Sequence, residues 1–222
     1  MFRFASTALA AVSLLIATYC LAAGLQEEER MLDALRDNEP TKDELRLLPD
    51  YCEIHPNLDA AGSFASDKAE SPERKKWEAF FGNSFPHMHH YCWALNWINR
   101  AHKSEVQENR DAYYETAIGD LQYIISRADP SMALLPEIYV QMGLLLIQRN
   151  KHSEAVKAYL DAIQTMPTYV PAYSALSDYY CELGNVEEAR NILSRGLQQV
   201  PGSKILKRRI SEVESSCKSE VR

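Results

Sequence analysis

Residues 136–203 consist of two 34-residue copies of one pattern, PEIYVQMGLLLIQRNKHSEAVKAYLDAIQTMPTY (136–169) and VPAYSALSDYYCELGNVEEARNILSRGLQQVPGS (170–203). The copies align without a gap, so that Tyr139 falls on Tyr173 and small, apolar and turn-forming residues recur at the same positions. Periods of this length are typical of chains in which each copy is one supersecondary unit and neighbouring units stack to bury a continuous core. The stretch therefore predicts stacked units.

Each copy has the features of two helices joined by a tight turn. Small residues at Gly143 and Ala155 allow two helices to approach closely, and large apolar residues three and four positions away fill the remaining space. Asn150 tolerates the left-handed backbone of a turn between the helices, and Pro167 ends the second helix. The corresponding residues of the second copy are Ser177, Ala189, Gly184 and Pro201.

This pattern resembles the tetratricopeptide repeat family, whose helix-turn-helix unit is 34 residues long with small and large residues at these relative positions. The second copy departs from the family at Ser177, where glycine is preferred, and at Gly196, where alanine is preferred. Because both residues remain small, close packing of the helices is still expected. The resemblance implies an all-α solenoid of helical hairpins.

The resemblance also implies where a ligand binds. In tetratricopeptide arrays the first helices of successive hairpins line a concave groove that holds partner peptides. Carried onto this sequence, the groove-facing positions are Val140, Leu144, Ile147, Ser174 and Asp178. An alternative is that Leu144 and Ile147 pack against neighbouring helices and face no ligand.

A further hairpin is expected before the two repeats, which occupy residues 136–169 and 170–203. Residues 86–135 show helical spacing in two stretches, Tyr91–Ala101 and Asn109–Asp129, and are interpreted as a degenerate hairpin. Three hairpins with a terminal cap meet the usual minimum for a stable solenoid.

Residues 204–222 are interpreted as a capping helix and tail. Its apolar stripe is expected to face the last repeat and consists of Ile205, Leu206, Ile210 and Val213. The basic residues between them, Lys204, Lys207, Arg208 and Arg209, are interpreted as a solvated helix face.

The segment 24–85 shows no sustained periodicity. A short helix is expected at Gln26–Asp37, and Ala60–Glu73 is expected to be a loop because it is rich in small and polar residues. The aromatic residues that follow are predicted to be core and not a binding pocket; they are Trp77, Phe80, Phe81, Phe85, Trp93 and Trp97.

The N-terminus predicts export. Arg3 precedes an uninterrupted run of small and apolar residues, and residues 1–23 have the composition of a secretory signal peptide cleaved after Ala22 or Ala23. The run is also long enough to span a bilayer as an uncleaved signal anchor, and lipid attachment at Cys20 is a third alternative. In each case the rest of the chain is expected on the non-cytoplasmic side, in the periplasm or another extracytoplasmic space.

Four cysteines follow the export segment, an even number that is consistent with two disulfides in an oxidising compartment. Four cysteines allow three pairings, and their spacing alone does not choose between them. The register of the repeats places Cys217 near the end of the capping helix and Cys181 near the end of the parallel helix before it. That register favours a Cys181–Cys217 bond, which leaves Cys52 to pair with Cys92.

A cluster of thiols and imidazoles offers an alternative function as a metal-binding protein. Its members are Cys52, His55, His87, His89, His90 and Cys92, and they include enough ligands for a Cys2His2 zinc site. Their irregular spacing matches no specific zinc motif, so a Cys52–Cys92 disulfide with structural histidines is the preferred interpretation. No cofactor is expected.

The charge balance and the missing motifs narrow the function. The chain has 24 basic and 31 acidic residues, a formal net charge of -7, and no concentrated basic block that could bind nucleic acid. It contains no nucleophile elbow, phosphate loop or H-E-x-x-H motif. We therefore expect a non-enzymatic, exported scaffold that binds another protein or a peptide, with self-association as an alternative. The family resemblance implies roles in the assembly of envelope or secretion machinery, among others.

Overall fold

A computed structural model describes residues 40–54 and 71–219 of the chain. The export segment, the helix expected at Gln26–Asp37 and His55 lie outside the described residues. The chain divides into two units, Met1–Thr41 and Lys42–Arg222, and the first contributes only its last two residues to the description. Within the described ranges no helix combines the length and the hydropathy that a membrane crossing requires.

The predicted all-α architecture is confirmed for the described part of the chain. Its helices are α1 (Lys42–Leu45), α2 (Asp50–Glu53), α3 (Pro72–Phe81), α4 (Met88–Lys103), α5 (Gln107–Arg127), α6 (Leu135–Gln148), α7 (His152–Thr165), α8 (Val170–Glu182), α9 (Val186–Gln199) and α10 (Lys204–Ser219). A 3-10 helix at Gly82–His87 connects α3 to α4.

Three antiparallel hairpins and a final helix form the array. Helix α4 packs on α5, α6 on α7 and α8 on α9, and α10 then packs on both α8 and α9. The first helices of the last two hairpins, α6 and α8, also contact each other, and α10 extends this row. The array is therefore a stack in which α6, α8 and α10 share one side.

The turns within the two repeats are built alike. Asn150 and Gly184 both have positive φ angles, 57° and 71°, as the aligned sequences predict. After each turn a backbone N–H reaches back to a helix carbonyl, from Lys151 to Leu146 at 2.8 Å and from Asn185 to Tyr180 at 2.9 Å. This left-handed cap satisfies the last carbonyls of the first helix and reverses the chain.

Glycine at position 143 is required by a tyrosine on the facing helix. A Cβ atom added at Gly143 would lie 2.4 Å from the ring of Tyr159, which is buried. In the second repeat the smaller Leu193 takes the place of Tyr159, and Ser177 takes the place of Gly143. The departure of Ser177 from the family pattern is thus matched by a smaller partner across the hairpin.

The capping helix α10 packs through part of the predicted stripe. Leu206 and Val213 are buried, and Cys217 is bonded to Cys181 with 4.5 Å between their Cα atoms. Ile205, however, has 53% of its surface exposed. It precedes Leu206 by one position and is therefore rotated about 100° around the helix, away from the packed face.

The segment before the first hairpin contains a helix that the sequence pattern did not predict. Helix α3 begins at Pro72, so the last two residues of the expected loop, Pro72 and Glu73, are helical, and residues 60–70 of that loop lie outside the described residues. Ser71 caps it by accepting a hydrogen bond from the Arg74 N–H at 3.1 Å, and proline occupies the first helical position. These capping residues were visible in the sequence, but no apolar period followed them.

Two links hold this N-terminal segment against α4. Cys52 is bonded to Cys92 with 5.7 Å between their Cα atoms. The Arg100 guanidinium also makes two bonds to the Glu44 carboxylate, at 2.7 and 2.9 Å. Both pairs are largely withdrawn from solvent, so they fix the segment at two points on one helix.

Aromatic packing completes the N-terminal end. Tyr51 makes edge-on contacts with Trp77 and Phe81 at centroid distances of 5.4 and 5.1 Å. Of the six aromatic residues predicted to be core, Phe81, Phe85 and Trp97 are buried, and Trp77 and Trp93 are half-buried. The prediction is wrong for Phe80, which is exposed at the end of the short helix α3.

Candidate functional site

A cavity of about 490 Å³ opens where α6, α8 and α10 meet. Its apolar lining comes from all three helices and consists mainly of Leu144, Ile147, Val170, Pro171, Ala175 and Ile205. Its polar lining consists of Gln148, Ser174, Asp178, Tyr179 and Glu182. The volume lies within the usual range of ligand pockets, about 300–1,000 Å³.

Four of the five predicted groove residues line this cavity: Leu144, Ile147, Ser174 and Asp178. The fifth, Val140, does not line it and has only 8% of its surface exposed. Val140 lies one turn before Leu144 on α6 and belongs to the hydrophobic core. The groove therefore opens at Leu144 and extends toward the capping helix.

Leu144 faces the cavity and not a neighbouring helix. It keeps 45% of its surface exposed although its neighbours Leu145 and Leu146 are buried. Ile205 on the capping helix is likewise exposed and lines the same cavity. Two large aliphatic side chains from different helices thus border one concave surface, an arrangement that favours contact with another apolar group.

The capping helix also supplies the ion pair at the cavity wall. The Arg209 guanidinium is bonded to the Asp178 carboxylate and donates a further bond, at 3.4 Å, to the Ser174 carbonyl oxygen. The interpretation of Arg209 as part of a solvated face is wrong, because this side chain turns toward α8 and its Nε atom is buried. The cap therefore both closes the array and orients a carboxylate at the groove.

A second polar contact lies toward the other end of the array, between α4 and α6. The Tyr91 hydroxyl donates a hydrogen bond to Glu137 at 2.9 Å. Burial raises the pKa of Tyr91, and the negative charge of Glu137 raises it further. Tyr91 therefore stays protonated and serves as a donor that joins the first hairpin to the first repeat.

The predicted histidine cluster is engaged in ring stacking and hydrogen bonds. His90 Nδ1 lies 2.7 Å from an Asp120 carboxylate oxygen, and the His90 ring stacks on Tyr123 at 3.7 Å. Burial raises the pKa of Asp120, and its bond to His90 opposes that effect. His89 packs edge-on against Trp93 at 5.0 Å.

These contacts give the metal alternative no support. Cys52 and Cys92 are consumed by their disulfide. In the part of the chain that the structure describes, which excludes His55, no three His, Cys, Asp or Glu residues are arranged to hold a metal ion. His87 instead lies beside Tyr123, with 3.5 Å between Nδ1 and the hydroxyl.

Sequence reasoning missed part of the groove. Glu182 lies one turn beyond Asp178 on α8, so the helical period could have identified it. Val170 lies one turn before Ser174 on α8, so the helical period could have identified it as well. Ile205 and the role of Arg209 depend on how the capping helix is rotated, and the residue pattern did not fix that rotation.

Comparisons with known proteins agree with this fold. Residues 146–208 match the family model described as Tetratricopeptide repeat. Among solved structures, the chain is similar to TTC0263, a thermophilic TPR protein of Thermus thermophilus, with 20% identity and a TM-score of 0.50; the match covers 64% of this chain and 69% of that chain. A search of curated proteins found no match.

A second solved structure is the first TPR of Spaghetti (RPAP3) bound to the HSP90 peptide SRMEEVD. It is 20% identical to this chain, with a TM-score of 0.38, and the match covers 55% of this chain and 91% of that chain.

The array of helical hairpins with a groove along one side defines a solenoid of the helical-repeat class. The family resemblance is confirmed for residues 146–208, which match the family model, and the described helices share the fold of tetratricopeptide repeat proteins. Proteins of this family are generally non-enzymatic scaffolds for protein–protein interaction.

Proposed function

We propose that this protein is an exported scaffold that holds a segment of another protein in the groove between α6, α8 and α10. The observation that carries the proposal is the exposure of Leu144 and Ile205 on the border of one cavity. When a partner covers large aliphatic groups that were exposed to water, the complex is stabilised by about 25 cal/mol per Å² of apolar surface buried. A concave site covers a larger fraction of a narrow ligand than a flat surface does, so more apolar surface is buried.

The groove suits an extended segment of polypeptide. It is bordered by three helices that share one side of the array, and it is open to solvent at Leu144 and Ile205. Polar groups at Ser174 and Gln148 are available to bond a ligand backbone, whose N–H and C=O groups must be satisfied once they leave water. We propose that the ligand's apolar side chain lies between Leu144 and Ile205.

Action outside the cytoplasm is the second part of the proposal. It is supported by the basic residue and apolar run at residues 1–23 and by the two disulfides, which persist in oxidising compartments. The family resemblance makes the assembly of envelope or secretion machinery the process that we propose for this scaffold.

The export proposal predicts the start of the mature chain. N-terminal sequencing of protein recovered from producing cells is expected to find Ala23 or Gly24 at the first position, because cleavage follows small residues. Thiol titration of the same denatured sample is expected to find no free thiols before reduction. A chain that begins at Met1 and carries reduced cysteines would contradict export.

Replacement of Leu144 by arginine tests the groove. We expect Leu144→Arg to weaken partner binding about tenfold or more, because a buried aliphatic anchor typically contributes about 1–2 kcal/mol and a charge at that place must lose water. The measurement is affinity capture from the producing cell's own fractions, followed by quantitative mass spectrometry of the proteins retained by the two forms.

Leu160→Arg is the matched control for this test. Leu160 lies on the second helix of the same hairpin, has 40% of its surface exposed against 45% for Leu144, and does not line the cavity. Equal recovery of partners by both variants would contradict the groove proposal. If the protein lost by Leu144→Arg alone is a second copy of this chain, the groove is a self-association surface.

A further inference from the structure

The charged residues that line the groove are all acidic. Among the described residues that line the cavity, only Asp178 and Glu182 carry charge, and Arg209 pairs with Asp178 from behind this lining. The two acids lie four positions apart on α8 and therefore project from the same face of that helix. A ligand that lies along α8 thus meets two carboxylates one turn apart.

The apolar end of the groove lies at the start of the same helix. Val170 and Pro171 open α8, and Ile205 of the capping helix borders the same cavity. At 1.5 Å per residue, Asp178 lies about 10 Å along the helix from Pro171, and Glu182 about 16 Å. An extended peptide covers about 3.3–3.6 Å per residue, so these distances correspond to roughly three to five residues of ligand.

Asp178 can bind a second cation while it keeps its present partner. A carboxylate has two oxygens and about four acceptor positions. Its side chain is 56% exposed, whereas that of Arg209 is 28% exposed, so Arg209 approaches from the protein side and leaves the outer part of the carboxylate in water. Arg209 is in this sense a positioning residue for Asp178.

An acidic ligand is disfavoured at the same place. Its carboxylate would approach Asp178 and Glu182, and the nearby cation, Arg209, lies behind the cavity lining and is already bonded to Asp178. Like charges repel each other more strongly when water is displaced, so the groove discriminates against acidic ligands as well as favouring basic ones.

We infer that the segment bound in this groove carries a large apolar side chain and, about three residues away, a lysine or arginine that contacts Asp178. The inference rests on the proposed function, since it describes the ligand of the same groove. The apolar side chain lies between Leu144 and Ile205, beside Val170, and the cation contacts the exposed side of the Asp178 carboxylate.

A random dodecapeptide library displayed on phage provides the probe. Panning is done on the complete mature chain, with Leu144→Arg protein as the counter-selection, so that only groove-dependent peptides are kept. The expected result is enrichment of a large apolar residue with lysine or arginine about three positions away, and depletion of aspartate and glutamate. Affinities of the selected peptides are then measured by fluorescence anisotropy.

Asp178→Asn identifies the contact. We expect it to weaken a selected basic peptide about fivefold, as for a half-exposed ion pair, and to have no effect on the same peptide with glutamine in place of its cation. Glu187→Gln is the control, because Glu187 is an exposed acid on α9 outside the cavity. Thermal unfolding of each variant confirms that it is folded.

The outcomes separate this inference from the proposed function. Groove-dependent peptides without a preference for basic residues, or with acidic ones, would overturn the inference and leave the groove in place. Equal effects of Asp178→Asn on the basic and glutamine peptides would also overturn it. Failure to select any peptide that Leu144→Arg rejects would overturn both.

Discussion

Loss of the Cys52–Cys92 disulfide is expected to lower the free energy of unfolding of the N-terminal end by about 4 kcal/mol. The bond closes a loop with a sequence separation of 40 residues, and the loop-entropy model gives a stabilisation of this size. We expect the segment before α4 to unfold first in the Cys52→Ala/Cys92→Ala double variant. Without the bond, this segment keeps only a few stabilising contacts, chiefly the Glu44–Arg100 ion pair and the ring contacts of Tyr51.

Tryptophan fluorescence reports this end of the molecule. All three tryptophans of the chain, Trp77, Trp93 and Trp97, lie in α3 or α4. Urea unfolding of the double variant is therefore expected to show a fluorescence transition at lower denaturant than the far-UV circular dichroism transition, which reports the whole array.

Removal of the other disulfide is the matched control. The Cys181–Cys217 bond has a similar sequence separation, 36 residues, but joins α8 to α10 at the opposite end. Cys181→Ala/Cys217→Ala is expected to lower the circular dichroism transition and to affect tryptophan fluorescence less. Unchanged urea midpoints in the Cys52→Ala/Cys92→Ala variant would contradict the stabilising role assigned to that bond.

Gly143→Ala is expected to destabilise the array by about 2 kcal/mol even though alanine is the better helix former. The new Cβ atom would lie 2.4 Å from the buried Tyr159 ring, and overpacking of this kind costs about 1–3 kcal/mol or more. The gain in helix propensity, about 1 kcal/mol, offsets only part of that. The measurement is the free energy of unfolding in urea.

A double-mutant cycle with Tyr159→Leu isolates the contact. Tyr159→Leu reproduces the side chain of the second repeat, Leu193, and leaves space for the added methyl group. We expect Gly143→Ala to be neutral or stabilising in that background, with an interaction energy of about 2 kcal/mol. Gly119→Ala on α5 is the control, because its Cβ meets nothing within 4 Å. Destabilisation by Gly143→Ala of equal size in both backgrounds would contradict the packing argument.

Most of the fold was predicted from the 34-residue repeat period. Gly143, Asn150 and their counterparts set the helix approach and the left-handed turn within residues that are close in sequence, so two aligned copies were enough to predict both hairpins. Helix α3 was not predicted because its ten residues are too few to show an apolar period. It is stabilised by contacts with Tyr51, which is distant in sequence.

The groove was predictable in part. Leu144, Ile147, Ser174 and Asp178 were implied as groove-facing positions by the family resemblance, and they line one cavity. Val140 lies one turn before Leu144 on the same helix but is buried in the core. Its burial depends on the positions of neighbouring helices, which the spacing of residues along one helix does not determine. The contributions of Ile205 and Arg209 depend on the rotation of α10, which is set by the packing of Leu206 and by the bond from Cys217.

Site-specific photo-crosslinking tests the central claim most directly. A benzophenone amino acid is placed at Leu144 or, as the control, at Leu160, and intact producing cells are irradiated before the adducts are identified by mass spectrometry. The account predicts a defined adduct with a partner polypeptide from position 144 and none from position 160. Adducts that form equally from both positions, or none from position 144, would contradict the groove as the working surface of this protein.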